Sequence, residues 1–259
     1  GPYWVDSNGD GVVDDTDTPD DRAVGVAISN VEVAIALLTP TNPADTARYH
    51  AVRASGGVSL VGVDGVTLSV DTITVEVNGS NSANPAEAVD FQASFGAAGL
   101  AILTGPSTET AVSFAGPVLR ATADNATIAV AGVELSADIT FERRINDFGS
   151  AIIAVSLTDL GFSLSAGGSQ LVSISGATAL LVITDAGMAG QFSAAPTFGS
   201  IPNLIIEPGE VSVAINSASV RITETFDTPG GTELLDVPAG PYLRVRAVGG
   251  RHVGQRLDV

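Results

Sequence analysis

From Ala23 to the carboxyl end, apolar residues alternate with polar or small ones in short runs, and no stretch long enough for an amphipathic helix escapes interruption by Gly or Pro. Val24, Val26 and Ile28 alternate; Val31, Val33 and Ile35 resume the pattern after a slip of one residue. Val58-Ser59-Leu60, Val66–Val70 and Ile73–Val77 are three further runs. A period of two sends successive side chains to opposite faces of an extended chain, so each run predicts a strand with one apolar face. Gly56-Gly57, Asp64-Gly65 and Asp71-Thr72 read as turns, and Asp64-Gly65 between two alternating runs predicts a hairpin. The same grammar returns around Ala131-Gly132 and Gly167-Gly168, at Leu180–Ile183 and at Val211, Val213 and Ile215. Gly96–Leu103 is the best helical candidate. The expectation is an all-β chain.

Composition supports that class. The apolar 45% is carried by Val, Ile, Leu and Ala, with nine Phe, three Tyr and one Trp, and glycine contributes 29 residues. Small and β-branched side chains suit short strands and tight turns. The net charge is −18, and all 11 basic residues are arginine. So negative a chain is a poor partner for nucleic acid or an anionic membrane surface, both of which require cationic contacts. Seven of the acids are aspartates within the first 21 residues. There is no cysteine, hence no disulfide and no thiolate metal site. No apolar run is long enough for a membrane-spanning helix, so no membrane insertion is expected.

Two patterns recur. Gly116-Pro117-Val118-Leu119-Arg120-Ala121 returns as Gly240-Pro241-Tyr242-Leu243-Arg244-Val245. Val26, Ile28, Val31, Val33 and Ile35 share their spacing of two, three, two, two with Val155, Leu157, Leu160, Phe162 and Leu164. The two offsets nearly agree, which predicts about two repeats of roughly 125 residues. The expected organisation is an Asp-rich linker over residues 1–22, a first β repeat over 23–150, and a second over 151–259 that is cut short at its end. The expected architecture is an elongated solenoid-like or folded-sheet stack in which neighbouring repeats of the same polypeptide cover one another's apolar faces. Two tandem β-sandwich domains are the alternative.

The segment Asp6–Asp17 carries the most specific motif. Oxygen-bearing side chains stand at loop positions 1, 3, 5, 9 and 12, with glycine at position 6. Calcium takes six to eight hard oxygen ligands, and this spacing supplies them by wrapping the backbone around the ion. Asp6, Asn8, Asp10 and Asp14 would give side-chain oxygens, Val12 its carbonyl, and Asp17 the closing carboxylate; Gly11 permits the sharp turn. Thr18-Pro19 opposes an exiting helix. The loop resembles the aspartate-rich calcium repeats of thrombospondin type 3 and the loops of dockerins, without the cysteines of the first or the second copy of the other. That resemblance implies a calcium ion that stiffens a junction in an extracellular protein.

Enzyme chemistry finds little support. The two histidines, His50 and His252, lie far apart in the chain, and Arg48, Tyr49 and His50 alternate between faces. No Gly-x-Ser-x-Gly elbow is present. Glu134, Glu142, Glu207, Glu210, Glu224 and Glu233 are the carboxylates from which a glycosidase pair would be drawn, but aromatic platforms for sugar rings are scarce. Asn78-Gly79-Ser80 and Asn125-Ala126-Thr127 match the glycosylation acceptor pattern and read as chance matches in Ser/Thr-rich chain.

The segments Gly116–Ala121, Val130–Glu142 and Thr178–Gln191 resemble repeats of very large, acidic bacterial surface proteins of the LEPR-XLL type, described as giant adhesins. Ala137-Asp138-Ile139-Thr140-Phe141-Glu142 is close to the Gly-Asp-Phe-x-Phe-Glu ending of hairpins in such arrays. The resemblance implies a structural or adhesive segment of a bacterial cell-surface fibre, located outside the cell, with no catalytic residues. A glycan- or lipid-binding β module is the alternative, with cell-surface glycans as candidate partners; lipid carriage would require a continuous apolar trough.

Overall fold

The computed structural model describes residues 4–13, 16–20, 22–42, 44–82, 84, 87–146, 149–166, 168–199, 204–206, 209–228, 231–248 and 252–254. Strands β1 (Trp4–Val5) and β2 (Thr18–Pro19) form a small ladder, followed by three long strands, β3 (Gly25–Leu38), β4 (Tyr49–Val61) and β5 (Val66–Ser80). A first excursion holds α1 (Phe91–Phe95), β6 (Leu100–Leu103) and β7 (Glu109–Val112). Four long strands come next: β8 (Val118–Val130), β9 (Val133–Ile145), β10 (Ala151–Ala166) and β11 (Ser169–Thr184). They lead into β12 (Gly187–Ala194), β13 (Thr197–Phe198), β14 (Leu204–Ile206) and β15 (Glu210–Asn216). A second excursion, β16 (Ile222–Thr228) with β17 (Gly231–Val237), precedes β18 (Tyr242–Val248) and β19 (His252–Gly254).

Ten of these strands form one antiparallel path in the order β18-β15-β12-β11-β10-β9-β8-β5-β4-β3, with β13 pairing off it to β11. The chain is all-β, and the sheet is not closed into a barrel. The boundary expected near residue 150 falls in the hairpin between β9 and β10, whose residues pair from Ala151↔Ile145 onward, so the sheet runs straight through it. Neighbouring segments therefore meet edge to edge through backbone hydrogen bonds. The described residues form one large antiparallel sheet with small two-stranded ladders beside it.

Alternation divides this sheet into two faces. One row of directly opposed residues runs Val33, Ala54, Val75, Ala121, Phe141, Val155, Leu181, Gly190, Ile215, Leu243 across all ten strands. The adjacent row, pointing the other way, runs Ala34, Arg53, Glu76, Arg120, Glu142, Ala154, Val182, Ala189, Asn216, Tyr242. The first row is apolar throughout, whereas the second carries the charges and both buried clusters' small residues.

Both excursions fold back as flaps onto the second face. Phe91, Val112 and Phe114 of the first flap bury against Ala34 and Ala36 of β3 and Ala51 of β4. Phe226, Leu235 and Val237 of the second flap bury against Ile152, Ala154, Leu180, Val182, Ala189 and Ala214. Alanines lie beneath the flaps because a strand layer must approach closely there. The helix lies just upstream of the expected Gly96–Leu103, capped by the Asp90 side chain, which accepts from the Ala93 amide. Leu100–Leu103 is strand β6 instead.

The one-residue slips have a local cause. Strand β3 shifts register between Ser29 and Glu32, with Asn30 at φ 51°. Strand β10 shifts between Thr158 and Gly161, with Asp159 at φ 50°, and β8 between Ala123 and Ala126, with Asn125 at φ 50°. These are β-bulges: one extra residue takes a left-handed conformation that Asn and Asp tolerate, and the apolar side chains then return to their own face. The Asp138 carboxylate accepts the amide of Asn125 at 2.7 Å and so satisfies a donor that the bulge frees from the ladder. Ala121, Ala123, Ala126, Ile128, Val130 and Val172, Ile174, Ala177, Ala179, Leu181 have the same two, three, two, two spacing. Leu68, Val70, Ile73, Val75 and Val77 of β5 share it as well, so the spacing marks bulged strands, five of them, and is not by itself the mark of a long repeat. Gly56-Gly57 and Asp71-Thr72 likewise lie within β4 and β5 at a register shift, not in turns. Asp64-Gly65 does form the expected hairpin between those strands.

Candidate functional site

Two buried asparagines tie the flaps to the sheet at matching places. Asn78, two residues before the end of β5, lies opposite Val118, the first residue of β8. Asn216 closes β15 opposite Tyr242, the first residue of β18. The Asn78 Nδ2 donates to the carbonyls of Val89 (2.8 Å) and Gly116 (2.7 Å), which enter and leave the first flap. The Asn216 Nδ2 donates in the same manner to Val220 (2.9 Å) and Pro238 (2.8 Å). The recurrent Gly-Pro segments thus lead into equivalent strands beside equivalent clamps. At the second seam Gly240 is obligatory, because a Cβ there would stand 2.1 Å from the Asn216 carbonyl oxygen. The seams differ in one respect: Asn216 Oδ1 accepts from the Ala218 amide at 2.8 Å, while Asn78 Oδ1 is buried with no partner. Asn78 heads one of the two glycosylation-type tripeptides, and its amide is committed to this clamp.

Charges on the same face are paired across strands. Glu76, 6% exposed, lies between Arg53 (3.3 Å) and Arg120 (2.6 Å), its direct neighbours on β4 and β8. Two charge-assisted partners satisfy a carboxylate that could not otherwise be buried. Arg144 continues the network to the second flap, reaching Glu142 (3.6 Å), Glu224 (3.2 Å) and the Thr225 carbonyl (2.7 Å). Glu142 and Glu224 are thus spent on a shared arginine. Glu134, Glu210 and Glu233 lie on β9, β15 and β17 without converging, and Glu207 lies outside the described residues. Within the second flap Arg221 holds Asp236 in a bidentate pair and lowers its pKa; Arg221 rises in turn. On the first flap Glu87 is lowered by hydrogen bonds from Ser82 and from the Tyr49 hydroxyl (2.8 Å), and Tyr49 is raised by that bond.

The Asp-rich loop is organised by its own carboxylates. Asp6 accepts from the amides of Gly9 (2.6 Å) and Gly11 (2.9 Å), so the loop wraps around it. Asn8 Oδ1 accepts from the Asp10 amide, and Asp10 Oδ1 from that of Val12. Asp17, 6% exposed, accepts from the amide of Ser7 at 2.8 Å and brings loop position 12 back beside position 1. Gly9 and Gly11 sit at φ 76° and 86°, the left-handed region that the sharp turn requires. Oxygen-only donors in a closed loop fit a hard cation such as calcium. Asp14 lies outside the described residues, and among those described no three acidic or histidine side chains stand together as a metal group.

His50 points to the apolar face and packs over Gly79, whose Cβ position lies 3.5 Å from the ring. It lines a cavity of about 330 Å³ at the end of the long strands with Val77, Leu119 and Arg143. No second histidine or paired carboxylate shares it among the described lining residues.

The seam asparagines and the bare apolar face escaped sequence reasoning. Each asparagine sits at the end of an apolar run before a Gly-Pro segment, but the flaps between clamp points differ in length, 38 residues from Asn78 to Gly116 against 22 from Asn216 to Pro238. Comparison with family models, with curated proteins and with solved structures finds no match in any of the three. No helix among the described residues is long and apolar enough to cross a membrane.

Proposed function

We propose that this chain is a non-enzymatic structural segment of a longer, repetitive bacterial surface protein, with calcium fixing its amino-terminal loop. The observation that carries the reading is the pair of equivalent seams: the same asparagine clamp, flap and Gly-Pro entry recur at the same register positions in one sheet. On this reading the repeat is the unit of strands plus flap that ends on each Gly-Pro strand. Such a unit extends a sheet sideways, strand by strand, because both β3 and β18 present open edges to a further segment of the same polypeptide. An array of this kind holds distance and shape at a cell surface. The acidic surface favours dispersion in water and disfavours nucleic acid.

Calcium is tested by thermal unfolding with excess calcium and with chelator. A ligand held only by the folded state at one hundred times its Kd stabilises by about 2.7 kcal/mol. The melting temperature is expected to rise with calcium, and Asp6→Ala with Asp10→Ala should remove the rise. Identical curves in calcium and chelator would refute the calcium part of the reading. The uncovered apolar face is the observation that favours the second reading, lipid binding.

A further inference from the structure

Among the described residues, no element of this chain covers the apolar face. Both flaps land on the other face, where Leu100, Ile102 and Val112 of the first and Ile222, Phe226, Leu235 and Val237 of the second pack. Ile35 is 52% exposed, Val245 66% and Leu243 68%. Seven strands of thirteen to sixteen residues and three of seven or eight make up the path. At about 4.8 Å between strands and 3.3 Å per residue, the face measures roughly 1,800 Å². Folded single chains rarely leave contiguous apolar patches above about 600 Å² in water.

We infer that this face is covered by the same face of a second copy, giving a two-layered sheet with both polar, flap-bearing sides outward. Three observations favour a second copy. The area is the first: two such faces would bury about 3,600 Å², within the range of obligate dimers. Charge is the second. Among the described strand residues only His50 and Arg143 are ionisable on this face, while the acids behind the net charge of −18 lie elsewhere, so face-to-face approach brings together the least repulsive surfaces. Relief is the third. Ala121 stands directly opposite Phe141 and Ala123 opposite Ile139, the mixture of small and large residues through which two sheets interdigitate at about 10 Å.

A lipid surface fits less well. Trp and Tyr anchor proteins at headgroup level, yet Tyr49 and Tyr242 both point to the flap side and Trp4 belongs to β1. The pairing rests on the face alone and holds whether or not calcium occupies the amino-terminal loop.

Sedimentation equilibrium of the full chain tests it. The expected mass is twice 26.0 kDa. Phe141→Glu places a charge in the joined faces and should weaken association by about 100-fold or more, while Thr74→Glu on the opposite face should leave it unchanged. Circular dichroism checks that Phe141→Glu folds, and a second readout accompanies it. Met188, the sole methionine, is 42% exposed on the apolar face, so peroxide should oxidise it slowly in the native chain and quickly in folded Phe141→Glu. A native chain that sediments as a monomer overturns the inference. So does a dimer that folded Phe141→Glu leaves intact, which would place the contact at the strand edges. A monomer that co-sediments with phosphatidylcholine vesicles would assign the face to lipid instead.

Discussion

Phe91 and Val112 rest on Ala34 and Ala51 on one side of the sheet, while on the reverse of those strands Val33 and Ala54 have no described residue of this chain packed above them. The same ten strands build both surfaces, since alternation, restored after each bulge, gives one face an apolar row and the other a mixture of charged pairs and the small and apolar residues beneath the flaps. What separates them is the place from which the flaps depart. Each leaves from the end of a strand that carries an asparagine facing the polar side at or near its last residue, and each returns into the adjacent strand, so the sheet loses no continuity. Cover for the flap side is thus built within the chain; on the inference above, cover for the apolar side comes from a second copy.

The sharpest way to break this contrast is to delete equal amounts of side chain from the two surfaces. Leu235→Ala, under the second flap, should cost about 3 kcal/mol in urea unfolding, as expected for a core leucine. Ile35→Ala on the bare face should cost less than about 1 kcal/mol when both are measured in the Phe141→Glu background, which isolates the single copy. Equal losses would mean that the face is not bare.

The seams should respond less, and unequally. Asn216→Ala removes three hydrogen bonds and is expected to cost about 2 kcal/mol, against about 1 kcal/mol for Asn78→Ala, where a stranded oxygen is also removed. Chemical denaturation of the two variants reads the difference directly.

The smallest effect belongs to the exposed pair on the second flap. Arg221 lowers the pKa of Asp236, so its contribution is present above the unfolded carboxyl value and is lost as pH falls through the lower folded one. Melting temperatures of the native chain and Asp236→Asn should differ slightly at neutral pH and converge below the ordinary aspartate range.

Much of this architecture was legible in the residues. Period-two runs specify strands wherever one face is apolar, and Asp64-Gly65 specifies its hairpin by local chemistry alone. The slip at Asn30 and Asp159 was equally visible, but its meaning was not. A bulge and a long repeat leave the same trace when only two strands are compared, and β8 and β11 reveal it as a bulge. Gly56-Gly57 and Asp71-Thr72 have turn composition yet lie in strands, because pairing with both neighbours outweighs local preference. Alternation also says nothing about what lies above an apolar face, which is a property of tertiary placement. The Asp6–Asp17 motif was legible as a closed loop, and the described hydrogen bonds of Asp6, Asn8, Asp10 and Asp17 hold that loop together.

Continuity of the sheet across the middle of the chain is the claim on which the structural reading depends. Amide hydrogen exchange across β9 and β10 tests it most directly, because Arg143 pairs with Ile153, Phe141 with Val155 and Ile139 with Leu157. The account predicts that amides of both strands bonded across this pair exchange as slowly as those between β4 and β5. Rapid exchange along both strands, with slow exchange on either side, would divide the molecule into two independent halves and contradict it.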